Sequence, residues 1–400
     1  MNILIIAHFT DAPGEKGNNR FKYLAQLLSK NNKVEVVTTS FSHTEKRQRE
    51  TKIEEGVPYK FTMCYEPGYK KNVSIKRFYS HYVYGRNLYK YLQTIEIPDV
   101  LYCAVPSLDA AYVAGKYAQE KKVKFVIDIQ DLWPEAFRMV FDLPIISDIL
   151  FAPLTYMANR VYSMADEIVG VSKTYVNRGV RENKKTGVCV FLGTDLYKFD
   201  EACGKYKIIK PENEIWLVYA GTLGHSYNIR LFIDALEKLR KMGHQNIKFQ
   251  ILGDGPLLEE FMQYAEKKQV DAKFWGRKPY EEMVAYLCAS DIAVNSICKG
   301  AAQSIINKHG DYAAAGLPVI NTQENQEYRN LIETYQCGIN CGVESLEDVV
   351  DAIKILLQDQ KLLKRMAQNS RTLAVEKFDR QLTYRVIEQL LYEIIDNARN

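Results

Sequence analysis

Short apolar runs alternate with amphipathic segments over almost the whole chain. In the first half the runs are NILIIAH, KVEVVTTS, VLYCAV, KFVIDI and EIVGVS, and in the second half they are EIWLVYAG, IKFQILGDG, AKFWG, IAVNSI and LPVINT. The runs are continuous where a strand with one face in water would alternate, which indicates parallel strands covered on both faces. The segments between them, such as RFKYLAQLLSK, have the apolar spacing of surface helices. This alternation predicts an α/β protein with two doubly wound, Rossmann-like parallel sheets.

A change of pattern near the middle of the chain predicts where one domain ends. Between residues 186 and 212 the periodicity is lost, and Gly, Pro and charged residues accumulate. A chain of 400 residues is also longer than one core usually holds. We therefore predict an N-terminal domain over 1–190 and a C-terminal domain over 205–379, facing each other across a cleft. The final segment, FDRQLTYRVIEQLLYEIIDNAR, is predicted to be one long helix.

The composition is that of an ordinary soluble globular protein, with 47% hydrophobic and 26% charged residues. A formal charge of +4 is too small to indicate a nucleic-acid-binding protein, so no nucleic-acid partner is expected. The first residues, MNILIIAHF, form a short apolar run without a basic leader, and no run approaches the roughly 18 apolar residues that span a bilayer. The eight cysteines are scattered, which indicates reduced thiols in a cytoplasmic protein.

Basic and aromatic residues are concentrated over residues 60–94. A single acid, Glu66, accompanies seven basic side chains there: Lys60, Lys70, Lys71, Lys76, Arg77, Arg86 and Lys90. One interpretation is an ordinary solvated face. The other is contact with an anionic membrane surface, to which each basic residue contributes about 1 kcal/mol.

Several motifs, in a fixed order, resemble a known enzyme family. They are Gly253-Asp254-Gly255-Pro256, Phe274-Trp275-Gly276, the segment from Asp291 to Ser296, and the segment from Ala313 to Ile320. The same order is typical of the second domain of glycosyltransferase family 4, the retaining GT-B enzymes. VIDIQDLWPEAF resembles the D-L-W-P-E signature of a bacterial capsule and O-antigen polysaccharide subgroup. The resemblance covers nearly the whole chain. It implies a nucleoside-diphosphate-sugar donor, no metal or other cofactor, and a final helix, 380–400, that returns to the first domain.

The stretch SIINKHGDYAAAGLPVI places a lysine and an acid at the start of a helix. A helix N-terminus carries free N–H groups and roughly half a positive charge, which favour a phosphate. Lys308 lies in the first turn, and Asp311 matches the family's second acid, which resembles an acceptor for ribose hydroxyls. Gln303 stands where the family has its first acid. The resemblance implies further donor contacts from Gly221, Thr222, His225, Gly253, Gly276, Arg277, Ser304, Ile306 and Asn307.

The phosphate-binding Arg and Lys of the family are missing after Gly221, where the chain reads AGTLGHSYNI. A Gly-rich loop in the first half, HFTDAPGEKGNNRFKYLA, is expected to reach the same phosphates, with backbone donors at Gly17 and Asn18. We hypothesise that Arg20 and Lys308 together replace the missing pair, because a guanidinium matches phosphate geometry. The alternative is that Arg20 is a solvated helix residue.

Carboxylates follow the predicted strand KFVIDI. Asp131 and Glu135 match the subgroup signature and are candidates for orienting the acceptor or the sugar. His8, at the end of the first strand, is a third candidate for the catalytic site, and Asp128 is interpreted as the cap of a turn. In retaining GT-B enzymes the leaving diphosphate itself helps to deprotonate the acceptor, so no protein nucleophile is expected.

We therefore expect a cytoplasmic, retaining glycosyltransferase that takes a UDP- or GDP-linked sugar and extends a glycan on a polyprenyl carrier. Two other classes of protein stay open. A non-catalytic GT-B partner subunit would account for Gln303 and the missing phosphate-binding pair. A nucleotide-dependent oxidoreductase is less consistent with the motif ILGDGPLLEEF, in which Leu258 replaces the third glycine of the dinucleotide fingerprint.

Overall fold

The protein is described here by a computed structural model covering residues 1–15, 19–49, 56–72, 74–138, 146–301 and 304–399. The chain forms two compact units: Met1–Phe191 with Tyr384–Asn400, and Leu192–Thr383. The boundaries expected from sequence, 1–190 with 380–400 and 205–379, differ most at the start of the second unit. There the helix Leu196–Lys205 lies in a stretch that the sequence analysis treats as a linker.

The first unit is built on a parallel sheet. Its strands are β1 Asn2–Ile6, β2 Lys33–Thr39, β3 Phe41–Ser42, β4 Arg47–Gln48, β5 Lys60–Cys64, β6 Val100–Val105, β7 Lys124–Ile129, β8 Glu167–Gly170 and β9 Gly187–Cys189. Its helices are α1 Arg20–Leu28, α2 Ile75–Leu92, α3 Leu108–Lys121, α4 Glu135–Arg138, α5 Ile146–Met164 and α6 Lys173–Asn183, with the last helix of the chain, Arg385–Arg399. Seven strands pair in the order β5-β2-β1-β6-β7-β8-β9, and β3 with β4 forms a separate antiparallel hairpin.

The core of the first unit combines residues from both ends of the chain. Strand residues such as Ile3 and Ile5 are fully buried, as the continuous apolar runs predict. The C-terminal segment adds Tyr384 and, from the last helix, Ile387 and Leu391 to the same cluster, each of them 0% exposed. The first unit is therefore complete only when the C-terminal segment is packed against it.

The second unit has the same architecture. Its strands are β10 Ile215–Ala220, β11 Ile247–Leu252, β12 Ala272–Phe274, β13 Ile292–Asn295, β14 Val319–Asn321 and β15 Gly338–Asn340. Its helices are α7 Leu196–Lys205, α8 Ile229–Lys241, α9 Leu258–Lys267, α10 Tyr280–Ala289, α11 Asn307–Ala314, α12 Gln326–Tyr335, α13 Leu346–Gln358, α14 Gln360–Leu373 and α15 Arg380–Thr383. All neighbouring strands pair in parallel, in the order β12-β11-β10-β13-β14-β15. The prediction of two doubly wound parallel sheets is confirmed.

The C-terminal segment differs from its prediction as one long helix. A π-helical turn, Ala374–Phe378, follows α14, and the short α15 comes before the last helix, α16 Arg385–Arg399. Asp379 between the first two has extended backbone, with φ −69° and ψ 113°. The helical segment is therefore interrupted where the chain passes from the second unit to the first.

The cysteines also depart from the expectation of reduced thiols. Cys203 of α7 and Cys288 of α10 form a disulfide. The other six cysteines are free, and four of them are buried: Cys64, Cys103, Cys337 and Cys341. Among the helices within the described ranges, none combines the length and the apolar character needed to cross a membrane.

Candidate functional site

The strand order of the second unit fixes where a ligand fits best. Strands follow one another outwards from β10 to β12 on one side and from β13 to β15 on the other, so the order reverses between β10 and β13. Ligands of open α/β sheets bind outside the carboxyl ends of the strands at this reversal. The two carboxyl ends are Ala220 and Asn295. We call the segments that follow them the switch point.

Three glycines line one side of the switch point. Gly221 after β10, Gly253 after β11 and Gly276 after β12 have φ values of 150°, 145° and 67°, which disfavour any other residue. A Cβ on Gly253 would lie 1.8 Å from the carbonyl oxygen of Gly221. The backbone N–H of Gly253 donates to the carbonyl of Gly276 at 2.9 Å. The ends of these three strands are therefore packed backbone to backbone.

Lys308 lies on the other side of the switch point, in the first turn of α11. Its side chain is buried, and Nζ is 3.9 Å from the ring centroid of Tyr219 and 4.3 Å from that of Tyr227. Within the described part of the chain, Nζ has no hydrogen-bond acceptor. Burial holds the pKa of this amine well below its usual value of 10.5. The aromatic faces attract the cation but do not neutralise it, so an anion bound beside Lys308 would relieve the cost.

Asp311 follows Lys308 on the same helix and is also buried. Its Oδ1 accepts hydrogen bonds from the hydroxyls of Thr194 and Tyr280, both at 2.9 Å. Burial raises the pKa of the carboxyl, while the two hydroxyl bonds oppose this rise. Both bonds end on one oxygen, so the carboxylate is held in place by its neighbours in the second unit.

The loop that leads into α11 is held by hydrogen bonds. The Ser304 hydroxyl donates to Glu327 at 3.2 Å, and the Ser304 carbonyl accepts from the side-chain amide of Gln323 at 2.7 Å. The N–H of Ile306, which precedes the helix, donates to Nδ1 of His309 at 3.3 Å. The side chain of Asn307 is exposed. The start of α11 is therefore fixed before any ligand arrives.

The sequence analysis missed an amide ladder at the same edge of the sheet. Asn295, Asn321 and Asn340 end three adjacent strands, and their side chains are joined in series by bonds of 2.8 Å. A signal for it was present, because the three strands read IAVN, VIN and GIN. Asn295 and Asn321 are fully buried, so the ladder ties the carboxyl ends of the three strands together.

The remaining predicted donor contacts are spread more widely. The side chains of Thr222, His225 and Arg277 are exposed, on the loops after β10 and β12. The Thr222 carbonyl accepts from the Tyr219 hydroxyl at 2.7 Å. The predicted contacts Gly17, Asn18 and Gln303 lie outside the described residues. The structure thus brings together Gly221, Gly253, Gly276 and Lys308.

Arg20 requires a correction. Its guanidinium is buried, with Nε 2.7 Å from Oδ2 of Asp128 and Nη1 3.0 Å from the carbonyl oxygens of Val190 and Phe191. Contact with a phosphate would require breaking this buried ion pair, so Arg20 is not the phosphate ligand that we hypothesised. Nor is it a solvated helix residue. The interpretation of Asp128 as the cap of a turn is also wrong, because Asp128 lies inside β7 and pairs with Arg20.

The first unit has its own polar cluster where its strand order reverses, at the ends of β1 and β6. Nδ1 of His8 is 2.6 Å from the Ser107 hydroxyl, and Nε2 is 3.2 Å from Oε2 of Glu66. His8, Glu66 and His81 are all buried, and their candidate ligand atoms lie within 4.8 Å of one another. Burial lowers the pKa of His81 well below its usual value, and the positive charge of Arg77 lowers it further.

Asp131 and Glu135 follow β7 in the same unit. Burial raises the pKa of Asp131 from 3.8 to about 6, although the backbone N–H of Leu132 donates to its carboxylate at 2.9 Å. Oε1 of Glu135 is 2.6 Å from Nε of Arg178. Asp131 therefore has the pKa of a proton acceptor that works near neutral pH, whereas Glu135 is held in an ion pair.

Comparisons with known proteins agree with this architecture. Residues 205–373 match the family described as Glycosyl transferases group 1. An uncharacterized glycosyltransferase of Methanocaldococcus jannaschii is 23% identical over 241 residues, which are 59% of this chain and 60% of that protein. The match therefore leaves about two fifths of that relative uncovered.

Solved structures are similar over nearly the full length. Anabaena HepE, in a crystal structure with UDP, has a TM-score of 0.73 and 15% identity, covering 98% of this chain and 100% of HepE. Sucrose-phosphate synthase of Thermosynechococcus elongatus has a TM-score of 0.76 and 14% identity, covering 99% of both chains. At such identities the likeness establishes the fold. Residues 205–373 are thus similar to the glycosyl transferases group 1 family, in a chain that has the GT-B fold.

Proposed function

We propose that this protein is a nucleotide-sugar-dependent, retaining glycosyltransferase that extends a lipid-linked glycan of a bacterial surface polysaccharide. The observation that carries the proposal is Lys308, a buried amine without a hydrogen-bond acceptor among the described residues, placed at the switch point of a region that matches the glycosyl transferases group 1 family. HepE, which has the same fold, binds UDP in its crystal structure. A nucleoside diphosphate supplies the negative charge that this position lacks.

In this proposal the diphosphate lies between Lys308 and the three glycine-ended strands. The N–H groups in the first turn of α11 point at it, and the helix adds about half a positive charge. Gly221 leaves the room that the amino group of Lys308 needs beside the backbone. An anion beside Lys308 favours the charged form of the amine, so the pKa of this amine rises on binding and the protein takes up protons.

Asp311 and the loop after β12 would hold the nucleoside. Asp311 accepts ribose hydroxyls with the oxygen that Thr194 and Tyr280 leave unused. Backbone groups of Gly276 and Arg277 pair with the base. The hydroxyl bonds from Thr194 and Tyr280 orient the carboxylate before the donor binds, which lowers the entropy cost of binding.

The reaction needs no protein nucleophile in this proposal. The bond between the anomeric carbon and the β-phosphate oxygen breaks, and the acceptor oxygen bonds to the same face of the sugar. The acceptor proton passes to the departing diphosphate. Lys308 stabilises the negative charge that develops on the leaving group, and Asp131 orients the acceptor hydroxyl. His8 and Glu135 support the acceptor side through their hydrogen bonds.

Calorimetric titration of the full chain with UDP, GDP and CMP tests the donor site. We expect one diphosphate to bind, with an observed enthalpy that changes with the ionisation enthalpy of the buffer because a proton is taken up. Incubation with the corresponding nucleotide sugars and a lipid-linked acceptor, followed by NMR of the anomeric proton, tests retention. Binding without buffer dependence would contradict the role of Lys308, and an inverted product would contradict the retaining mechanism.

The second candidate is a non-catalytic partner subunit. Gln303, together with Thr222 and the neutral region near Asn228, where the family has its phosphate-binding Arg and Lys, favours it. A non-catalytic partner subunit would release no heat with any of the three nucleotides and would hydrolyse no nucleotide sugar. The same titration therefore separates the two candidates.

A further inference from the structure

The first unit carries a basic pocket beside the polar cluster around His8, because the side-chain amide of the pocket residue Gln48 donates to the carbonyl of Glu66 at 2.8 Å. The pocket has a volume of about 550 Å³ and lies between the β3–β4 hairpin and the loop before α2. Five basic side chains line it, and no Asp or Glu does: Lys46, Arg47, Lys70, Lys71 and Lys76. Lys46 contacts a neutral amide, that of Asn72, and lies 4.8 Å from the ring centroid of Tyr69. In the described part of the chain, the five cations are not neutralised by ion pairs. We call these residues the basic pocket.

The backbone around the basic pocket is specifically shaped. Lys46 has φ 54° and Gly68 has φ 81°, both in the left-handed region. A Cβ on Gly68 would lie 2.4 Å from the ring of Phe41, so only glycine allows the loop to close on the hairpin. Left-handed residues other than glycine are strained and collect at functional sites. The pocket is therefore a built feature and not a chance gathering of mobile side chains.

An exposed aromatic stripe begins at the edge of the basic pocket. Lys76 lines the pocket from the first turn of α2, and Tyr79 follows it at the spacing that brings two helical side chains together. One face of α2 exposes Ile75 by 87%, Tyr79 by 60% and Tyr82 by 52%. Arg86 continues this face. We call Ile75, Tyr79, Tyr82 and Arg86 the α2 stripe.

We propose that the basic pocket and the α2 stripe form a docking surface for an anionic lipid bilayer, with the pocket holding lipid phosphate groups and the stripe lying in the headgroup layer. Residues 67–93 contain six basic residues and no acid, so this surface matches the charge of anionic headgroups. Tyrosine suits the boundary between headgroups and acyl chains, because its ring is apolar and its hydroxyl is polar. The inference deepens the proposed function by naming the surface on which a lipid-linked acceptor is met.

Vesicle sedimentation tests the surface with the full chain. Vesicles of phosphatidylcholine alone are compared with vesicles that contain 30 mol% (about a third) phosphatidylglycerol. The wild type is expected to sediment with the anionic vesicles and to be released at high salt. The variant K70E/K71E/K76E is expected to lose about 100-fold or more in partition coefficient, because each basic residue contributes about fivefold. Y79S/Y82S is expected to lose about tenfold, with the charge unchanged.

The matched control is K267E/K361E/K364E, which changes the net charge by the same amount at three exposed lysines of the second unit. It should bind vesicles like the wild type, and so the effect of overall charge is separated from that of this surface. Equal losses in the control and the pocket variant, or wild-type binding to neutral vesicles, would overturn the proposal. Titration with inorganic pyrophosphate provides a further test: saturation that K70E/K71E/K76E abolishes, without sedimentation of the wild type, would mean a soluble phosphate ligand in the pocket and would also overturn the proposal.

The docking test and the donor test fail independently. UDP titration of K70E/K71E/K76E reports on the second unit, where none of the changed residues lies. We expect its UDP affinity to equal that of the wild type. If K70E/K71E/K76E loses vesicle binding and keeps its UDP affinity, both proposals are supported. If the wild type binds UDP but does not bind vesicles, only the transferase proposal is supported.

Discussion

The amino group of Lys308 fills the space that a side chain on Gly221 would need. A Cβ at Gly221 would lie 2.7 Å from Nζ and 3.1 Å from Cε of Lys308. The two residues come from the two sides of the switch point, after β10 and in α11. The absence of a side chain at one position therefore allows the buried amine at the other.

Replacing Gly221 by alanine is expected to displace Lys308 and weaken nucleotide binding. The new methyl group meets the amine, and the backbone at φ 150° strains any residue with a Cβ. We expect the free energy of unfolding to fall by about 1–3 kcal/mol. UDP affinity should fall at least about tenfold, because the cation no longer faces the phosphate. Calorimetric titration and thermal unfolding measure the two effects.

Gly224 in the same loop offers the matched control. A Cβ there would meet Thr222 at 3.6 Å, an ordinary contact, so Gly224→Ala should change neither quantity appreciably. If Gly221→Ala bound UDP like the wild type, the amine would not need its present position.

Replacing Lys308 by methionine is expected to make the protein more stable and less able to bind UDP. Methionine keeps the volume and removes the buried amine, so we expect the free energy of unfolding to rise by about 1–3 kcal/mol at pH 7. Burial lowers the folded-state pKa, so the unfolded chain binds more protons and wild-type stability rises with pH until the unfolded amine titrates near 10.4. Lys308→Met should flatten this rise in denaturant unfolding measured from pH 7 to 10. Lys299→Met, at an exposed lysine, is the control and should leave the slope unchanged.

The pH dependence of transfer is expected to reflect Asp131. Because burial raises its pKa from 3.8 to about 6, the carboxylate form that orients the acceptor is lost as the pH falls through 6. We expect kcat/KM for the acceptor to decrease below pH 6. Asp131→Asn is expected to remove this decrease from the pH–rate profile and to lower kcat/KM about 100-fold. The folded state holds this proton more tightly than the unfolded state, so the group's contribution to stability falls as the pH rises from about 4 to 6. If kcat/KM decreased only near pH 4, another group would control the rate.

The buried pair Arg20–Asp128 is expected to maintain structure without binding the donor. Arg20→Ala leaves the carboxylate unpaired and should lower the free energy of unfolding by about 3–5 kcal/mol. Removing both charges in Arg20→Met/Asp128→Leu should cost less than the single change. UDP affinity of the folded fraction should equal that of the wild type in both variants. A selective loss of UDP affinity in Arg20→Ala would restore the phosphate role that the ion pair argues against.

The long apolar runs were sufficient to predict the sheets. All ten predicted strands are present, because continuous burial in a parallel sheet leaves a continuous apolar run. β9 was missed because its residues fall in the stretch from 186 to 212 that was interpreted as a domain boundary, and β15 was missed because its three residues, GIN, form no apolar run. β5 was not predicted because it lies in the stretch 60–94, which was interpreted only as a basic and aromatic surface. Short edge strands are set by their neighbours more than by their own residues.

The candidate site was harder to predict, for a different reason. Lys308 was found through its place at a helix start, but its position over Tyr219 and Tyr227 depends on residues some 80 to 90 positions away. The Arg20–Asp128 pair joins residues separated by 108 positions, and the pattern around Arg20 gives no sign of it. Local patterns indicate which residue types are placed at strand ends. Which of them neutralise each other is decided by tertiary contacts.

The passage of the chain from the first unit to the second and back has a consequence for biosynthesis. Tyr384, Ile387 and Leu391 complete the core of the first unit, yet they leave the ribosome after the whole of the second. The first sheet must wait, with part of its apolar surface uncovered, while about 190 further residues are translated. A nascent chain stalled before Tyr384 would therefore contain a complete second unit and an incomplete first unit. We expect chaperones to bind the first unit at this stage.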